Sequence, residues 1–318
     1  MIGERYHAFF QIILFFRSQP CAVILVTAKH VVVGIKQKSV DGKVYIRIND
    51  NQGGSQLIES SIDSWSEHPT DSSVDVSVLR WAPSEKFDYI FLYTSMAATD
   101  EVIRQNSIGI GDEVFIAGMF VSHKGKKRNI PIVRVGNISA MPEEKIDTPD
   151  FGSIEAYLIE ARSIGGLSGS PVFVNVSGDR TMGGNFANGN VKKGDILYST
   201  GNRLYLLGLI HGHWDEQTVD DVISEDAARK DVNMGMAMVV PATKILEIID
   251  QPKWVEERQL LMKLKNKKHL PVQDALPTKD SVKPAEIGKD GIMKEEFEDV
   301  LKKISRPLNP DDQEKKGT

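Results

Sequence analysis

Ten short apolar runs separated by clusters of Gly, Asn, Asp and Ser fill most of the first 240 residues. In order they are "CAVILVTA", "KVYIRIN", "VDVSVLRW", "YIFLY", "EVFIAG", "IPIVRVGNIS", "EAYLIEA", "PVFVNV", "RLYLLGLIHG" and "MGMAMVVP". Each has the length of one strand, and the turn residues between them leave no room for long helices. This spacing predicts an all-β sandwich or barrel. "PATKILEIID" then opens on proline and puts Ile245, Leu246, Ile248 and Ile249 on one helical face, so one helix closes the domain near residue 250.

Composition changes at Gln251. The 68 residues from there to the end hold six of the fourteen prolines and 15 Lys+Arg against 13 Asp+Glu, whereas the first 250 carry 24 against 31. The chain therefore reads as a domain over 1–250 and a charged, Pro-containing flexible tail over 251–318. Two tail segments have helical spacing, "WVEERQLLMKLKNKK" and "IMKEEFEDVLKKIS". They are expected to pack back on the domain, to fray, or to bind a protein partner.

The net charge of −5 offers no general basic field, so neither nucleic acid nor an anionic membrane is the expected partner. A single cysteine, Cys21, excludes an intrachain disulfide and suits a reducing, cytoplasmic setting; inside "PCAVILV" it reads as a buried, inert thiol. "HAFFQIILFF" lacks the charged lead and small-residue cleavage site of a signal peptide, and with the next apolar run it reads as a hairpin. No stretch reaches the length of a membrane-spanning helix.

Three patterns carry chemistry. A serine hydroxyl is a poor nucleophile at neutral pH and needs an imidazole to take its proton and a carboxylate to fix the imidazole's tautomer. "AVILVTAKHVVV" supplies His30 just past a buried strand, although a histidine there serves equally well as a cap or core residue. "SSVDVSVLRW" sets Asp75 between Val74 and Val76, where a buried carboxylate requires a strong donor. "IEARSIGGLSGSPVFVN" is either an ordinary Gly-rich turn or a nucleophile turn. In the second case Ser168 attacks, and the N–H groups of Gly166 and Ser168 converge on an oxyanion.

The order His30, Asp75, Ser168, with "VTAKHVV", "VDVSVL" and "GLSGSPVF" around the three residues, resembles the trypsin-like (chymotrypsin-fold) serine proteases, particularly the short disulfide-free bacterial ones. "GDEVFIAGMF", "VRVGNIS", "LLGLIHGHW" and "NMGMAMVVP" sit where that family has strands of its second barrel, so the resemblance spans roughly residues 7–250. It implies two antiparallel six-stranded barrels, at about 1–95 and 108–240, with a closing helix at about 241–250 and the triad in the cleft between them. It also implies a substrate pocket lined by Arg162, Ser163 and Ile164 on one side and by His211, Gly212 and His213 on the other.

The departures carry information. Only 29 residues precede His30, so the first barrel is expected either to lack its opening strand or to build that edge differently. Leu167 replaces the aspartate that pairs with a cleaved N-terminus in the secreted enzymes, which removes that activation switch. Ser170 replaces a glycine, and the segment is not the G-x-S-x-G elbow of α/β-hydrolases.

"HGHWDE" also suggests metal ligation by His211, His213 and Asp215, but the pocket wall accounts for its position, and neither metal nor cofactor is expected. His68, His123 and the basic run "HKGKKR" at 123–128 read as solvated. The expectation is a serine endopeptidase acting on protein or peptide substrates through an acyl-enzyme. Its rivals are a protease-like binding module with absent or latent turnover and a serine hydrolase of non-peptide esters or amides.

Overall fold

A computed structural model of the chain describes residues 7–8, 13–16, 23–81, 84–89, 91–119, 125–148, 152–161, 167–181, 197–217, 231–256, 259 and 292–293. The N-terminal half runs β1 (His7–Ala8), β2 (Ile13–Phe16), β3 (Val23–Thr27), α1 (Lys29–Lys38), β4 (Lys43–Asn49), β5 (Ser55–Ser61), β6 (Trp65–Glu67), β7 (Ser77–Trp81) and β8 (Phe91–Tyr93). A short helix α2 (Asp100–Gln105) leads into β9 (Glu113–Met119), β10 (Pro131–Ala140), β11 (Ile146–Thr148), β12 (Gly152–Ile154) and β13 (Tyr157–Glu160). The chain continues through β14 (Pro171–Thr181), β15 (Leu197–Gln217), β16 (Asp231–Pro241), α3 (Ala242–Ile249) and β17 (Ile292–Met293).

The C-terminal half is a closed barrel. Its strands pair in the order β14-β9-β10-β13-β16-β15, all antiparallel, and the β14–β15 pairing completes the ring of six. Alternation within the strands sorts side chains to its two faces. Val114 and Ile116 of β9 fill the interior with Ile138, Ile159, Val172, Val174, Tyr205, Leu207 and Val239, while Phe115 and Ala117 face outward to a second core.

The N-terminal half, over its described residues, does not show the first barrel expected at about 1–95. Its described strands form a five-stranded sheet, β6-β7-β3-β2-β8, and a three-stranded sheet, β1-β4-β5, with no closed ring of pairings among the described residues. β2 and β3 form the expected hairpin, but β2–β8 and β1–β4 are parallel. A core of Leu25, Val44, Ile46, Ile48, Trp65, Leu79 and Phe87, with Val32 and Ile35 of α1, fills the space between the sheets.

One cluster joins the halves. Ile24 and Val26, on the other face of β3 from Leu25, pack with Val76 and Val78, with Phe115, Phe173, Leu206 and Leu209 of the barrel, and with Ile245, Ile248 and Ile249 of α3. Burying each such side chain contributes about 1.5–3 kcal/mol, so this shared layer holds the halves in one arrangement. The closing helix thus acts as part of the seam.

Of the tail, residues 252–256 are helical and Trp254 enters the seam core. Ile292 and Met293, expected on a helix, instead form a strand on the outer side of β15 at Arg203 and Leu204. The other tail positions lie outside the described residues. No helix among the described residues is long and apolar enough to cross a membrane.

Candidate active site

The site forms at the seam, from the ends of elements rather than their middles. β3 ends at Thr27, and α1 starts two residues on with Ala28 as its N-cap, a residue with no side-chain oxygen to satisfy the helix's first amides. Those amides need an acceptor. Asp75 supplies it from 45 residues away: its Oδ1 accepts from the backbone N–H of His30 at 2.8 Å, and its Oδ2 lies 2.7 Å from Nδ1 of the same residue. The carboxylate thus grips His30 by main chain and side chain together, at the positive end of the helix.

Asp75 is not inside a strand, as its apolar flanks suggested, but in the loop just before β7. That loop is anchored on three sides. Lys29 Nζ donates to the Ser72 carbonyl at 2.5 Å, Ser73 donates to Asp71, and the amide of Asp71 donates to His68 Nδ1 at 3.0 Å. The other ring nitrogen of His68 meets Glu247 of α3 at 2.8 Å with its side chain 7% exposed, so His68 is a structural bridge and not a solvated residue. His123 lies outside the described residues. The described part of the basic run is a docked turn, held where Arg47 donates to the carbonyls of Gly125 and Lys126.

A second imidazole reaches the same carboxylate. His211 Nδ1 lies 2.6 Å from Asp75 Oδ2, and its side chain is 1% exposed. It sits at a bulge in β15, where Ile210 pairs with Val239 and Gly212 with Met238, leaving His211 as the extra residue between them. Bulges re-aim side chains in this way. The rings of His30 and His211 stand edge to face, 5.6 Å apart at 82°, so their nitrogens approach one oxygen from different directions.

Burial pushes the carboxyl pKa of Asp75 up, but the hydrogen bonds from His211 and His30 outweigh it, and the net result is a fall to about 2. Asp75 is therefore an anion throughout the neutral range.

Ser168 lies on a turn between Leu167 and Ser170. The Ser170 amide donates to the Leu167 carbonyl at 2.9 Å, and Gly169 takes a φ of +79° at the corner. Two backbone bonds, from Gly169 to the Ile210 carbonyl at 2.7 Å and from Ile210 to the Ser170 carbonyl at 2.8 Å, fasten the turn to β15 next to His211. Leu167 plugs into the barrel interior.

Gly169 also abuts the histidine strand. A Cβ there would meet Thr27 Oγ1 at 2.6 Å and the Ala28 amide at 2.9 Å. Only glycine allows both the backbone angle and that approach. Ser168, half-buried, is thereby seated one residue from a contact with the segment that leads into His30. Among the described residues there is no hydrogen bond between Ser168 and His30.

Of the remaining sequence candidates, Arg162, Ser163, Ile164 and Gly166 lie outside the described residues. Gly212 and His213 follow His211 in β15, opposite Met238 and Ala237. The partnership of His211 with Asp75 escaped the sequence reading. The signal was present in "LLGLIHG": a histidine in an apolar strand needs a buried partner as much as Asp75 does. The bulge that turns it toward Asp75 has no sequence signature.

His30, Asp75 and His211 also form a donor set of the kind that binds transition metals. Their spacing argues for protons. Ligands around tetrahedral zinc stand about 3.3 Å from one another at zinc bond lengths, whereas these nitrogens stand 2.6 and 2.7 Å from the shared oxygen.

No family model matches the sequence, and no curated protein shows a significant match. Solved structures do resemble the fold. The MamO protease domain from Magnetospirillum magneticum (apo form) is 14% identical, with 73% of this chain and 91% of that one covered at a TM-score of 0.39. Rv3671c protease from M. tuberculosis in its active form is 16% identical over 74% and 70%, with a TM-score of 0.33. Deg5 is 18% identical over 48% and 68%, also with a TM-score of 0.33. Two of these neighbours are described as proteases, and at such scores they assign no residue of this chain a role.

Proposed function

We propose that the protein is a serine-type endopeptidase. The observation that carries this reading is the double grip of Asp75 on His30, with the Ser168 turn wedged against the same strand end. With Nδ1 of His30 committed to Asp75, Nε2 is the nitrogen that takes a proton.

Ser168 Oγ attacks the carbonyl carbon of a peptide bond as its proton passes to His30 Nε2. The amides of Gly166 and Ser168 stabilise the oxyanion. The tetrahedral intermediate collapses when His30 returns that proton to the leaving amine, giving an acyl-enzyme and a free amine. Water then repeats the sequence against the ester. Asp75 remains an anion throughout and holds the imidazole in its Nδ1–H tautomer.

Intact-mass labelling with a fluorophosphonate tests the chemistry without knowledge of the substrate. One adduct per chain is expected at neutral pH, lost in Ser168→Ala and in His30→Ala. No adduct on folded wild-type protein would sink the enzymatic reading and leave a protease-like binding module. Peptide and small-ester panels then separate an endopeptidase from a hydrolase of non-peptide substrates.

A further inference from the structure

Nothing in the proposed reaction uses His211, yet it occupies an expensive position. An imidazole 1% exposed, on a bulge, is aimed at the one carboxylate oxygen that orients His30. Asp75 Oδ2 at 2.6 and 2.7 Å from two Nδ1 atoms accepts a proton-bearing nitrogen from each, because neither a deprotonated nitrogen nor the carboxylate can donate there. Both histidines are consequently held as Nδ1–H forms by a single anion.

We propose, building on the serine-hydrolase reading, that His211 is a positioning residue that shares Asp75 with His30 and so sets both the placement and the basicity of the general base. Two consequences follow from sharing. The carboxylate is fixed by three N–H donors, two on Oδ2 and one on Oδ1, and cannot rotate away from His30. Its negative charge is also divided, so Asp75 stabilises the His30 imidazolium less than an undivided carboxylate would.

The other charged groups near Asp75 are distinct and remain when His211 is changed. Asp71, Glu155 and Lys244 line the small cavity against Asp75; Lys244 is paired with Glu155 and Glu247, and Lys29 of α1 lies 3.8 Å from Glu67. None of these makes a hydrogen bond to Asp75 Oδ2 among the described residues.

The test compares wild type, His211→Leu and His211→Asn as full chains. Leucine fills the volume without a donor. Asparagine carries an N–H donor at the δ position, where Nδ1 stands in histidine. The rate of fluorophosphonate labelling is followed from about pH 5 to 9, where an imidazole titrates. For His211→Leu the rising limb should move to higher pH by roughly half a unit or more, because the undivided carboxylate holds the His30 proton more tightly. Its plateau should fall roughly 10- to 100-fold, the worth of a hydrogen bond to a charged group. His211→Asn should return both toward wild type.

Imidazole ¹H–¹⁵N NMR on the Ser168→Ala protein supplies a reading independent of turnover. Two low-field Nδ1–H signals are expected, one of which disappears in the added His211→Leu change while the His30 titration midpoint rises. An unmoved midpoint, with any loss of labelling explained by the folded fraction, overturns the proposal and leaves His211 a packing residue. If wild type fails to label at all, the hydrolase reading falls by itself, and the NMR midpoint still decides whether the two histidines share Asp75.

Discussion

The two halves of the molecule solve the same strand-edge problem differently. The C-terminal half closes six antiparallel strands into a ring, which pairs the strand edges around it. The N-terminal half stacks a five-stranded sheet and a three-stranded one around α1, with no closed ring among the described residues. The closed half contributes the Ser168 turn and His211, both fastened to the ladder of β15. The N-terminal half contributes His30 and Asp75 from a helix start and a loop, and these depend on each other for capping and charge. Rigid pairing positions one side of the site, and mutual hydrogen bonding positions the other.

That contrast predicts where the site is most vulnerable. Asp75→Asn strikes the mutually dependent side: labelling of Ser168 should fall on the order of 10⁴-fold, or about 5 kcal/mol of activation free energy, because the amide permits the wrong imidazole tautomer. A fall below tenfold would mean that the loop holds His30 without the carboxylate. Leu206→Ala, in the layer common to both halves, should cost about 2–5 kcal/mol of stability in a urea titration while unfolding remains a single transition. Two separated transitions would show that the halves fold independently and that the seam core does little.

Gly169→Ala sharpens the comparison at the wedge between the halves. A Cβ against Thr27 Oγ1 and the Ala28 amide, at positive φ, should cost about 1–3 kcal/mol and cut labelling more than its effect on the folded fraction explains. Acid should act on the N-terminal half first. The carboxyl pKa of Asp75 is lower folded than unfolded, so its contribution is fully present above about pH 4 and is lost as pH falls toward 2, about 2 kcal/mol in all. Calorimetry at steps across that range, with Asp75→Asn as control, reads it directly. At the other extreme, Val40 stands fully exposed beyond α1, and Val40→Ser should change stability by less than about 0.5 kcal/mol.

The strands of the barrel were legible because each is apolar, short and bounded by turn residues; "EVFIAG", "PVFVNV" and "MGMAMVVP" all fall within observed strands. α3 was legible from its proline and the spacing of Ile245, Ile248 and Ile249. α1 was not, because "KHVVVGIKQK" has the β-branched composition of a strand and is made a helix by the core around Val32 and Ile35 and by a cap from Asp75. The barrel's counterpart in the N-terminal half was expected from resemblance alone, and nothing local in the sequence encodes whether a set of strands closes.

The sequence by itself determined which chemical groups are present and in what order: a histidine after a buried strand, a carboxylate among valines, and a serine in a Gly-rich turn. Only the tertiary structure decided who meets whom. Asp75 caps a helix 45 residues away, and His211 is turned by a bulge onto that same carboxylate across 136 residues of chain. Strand periodicity and turn chemistry are local and can be read along the chain, whereas a hydrogen bond between distant residues depends on packing that brings both ends to one place.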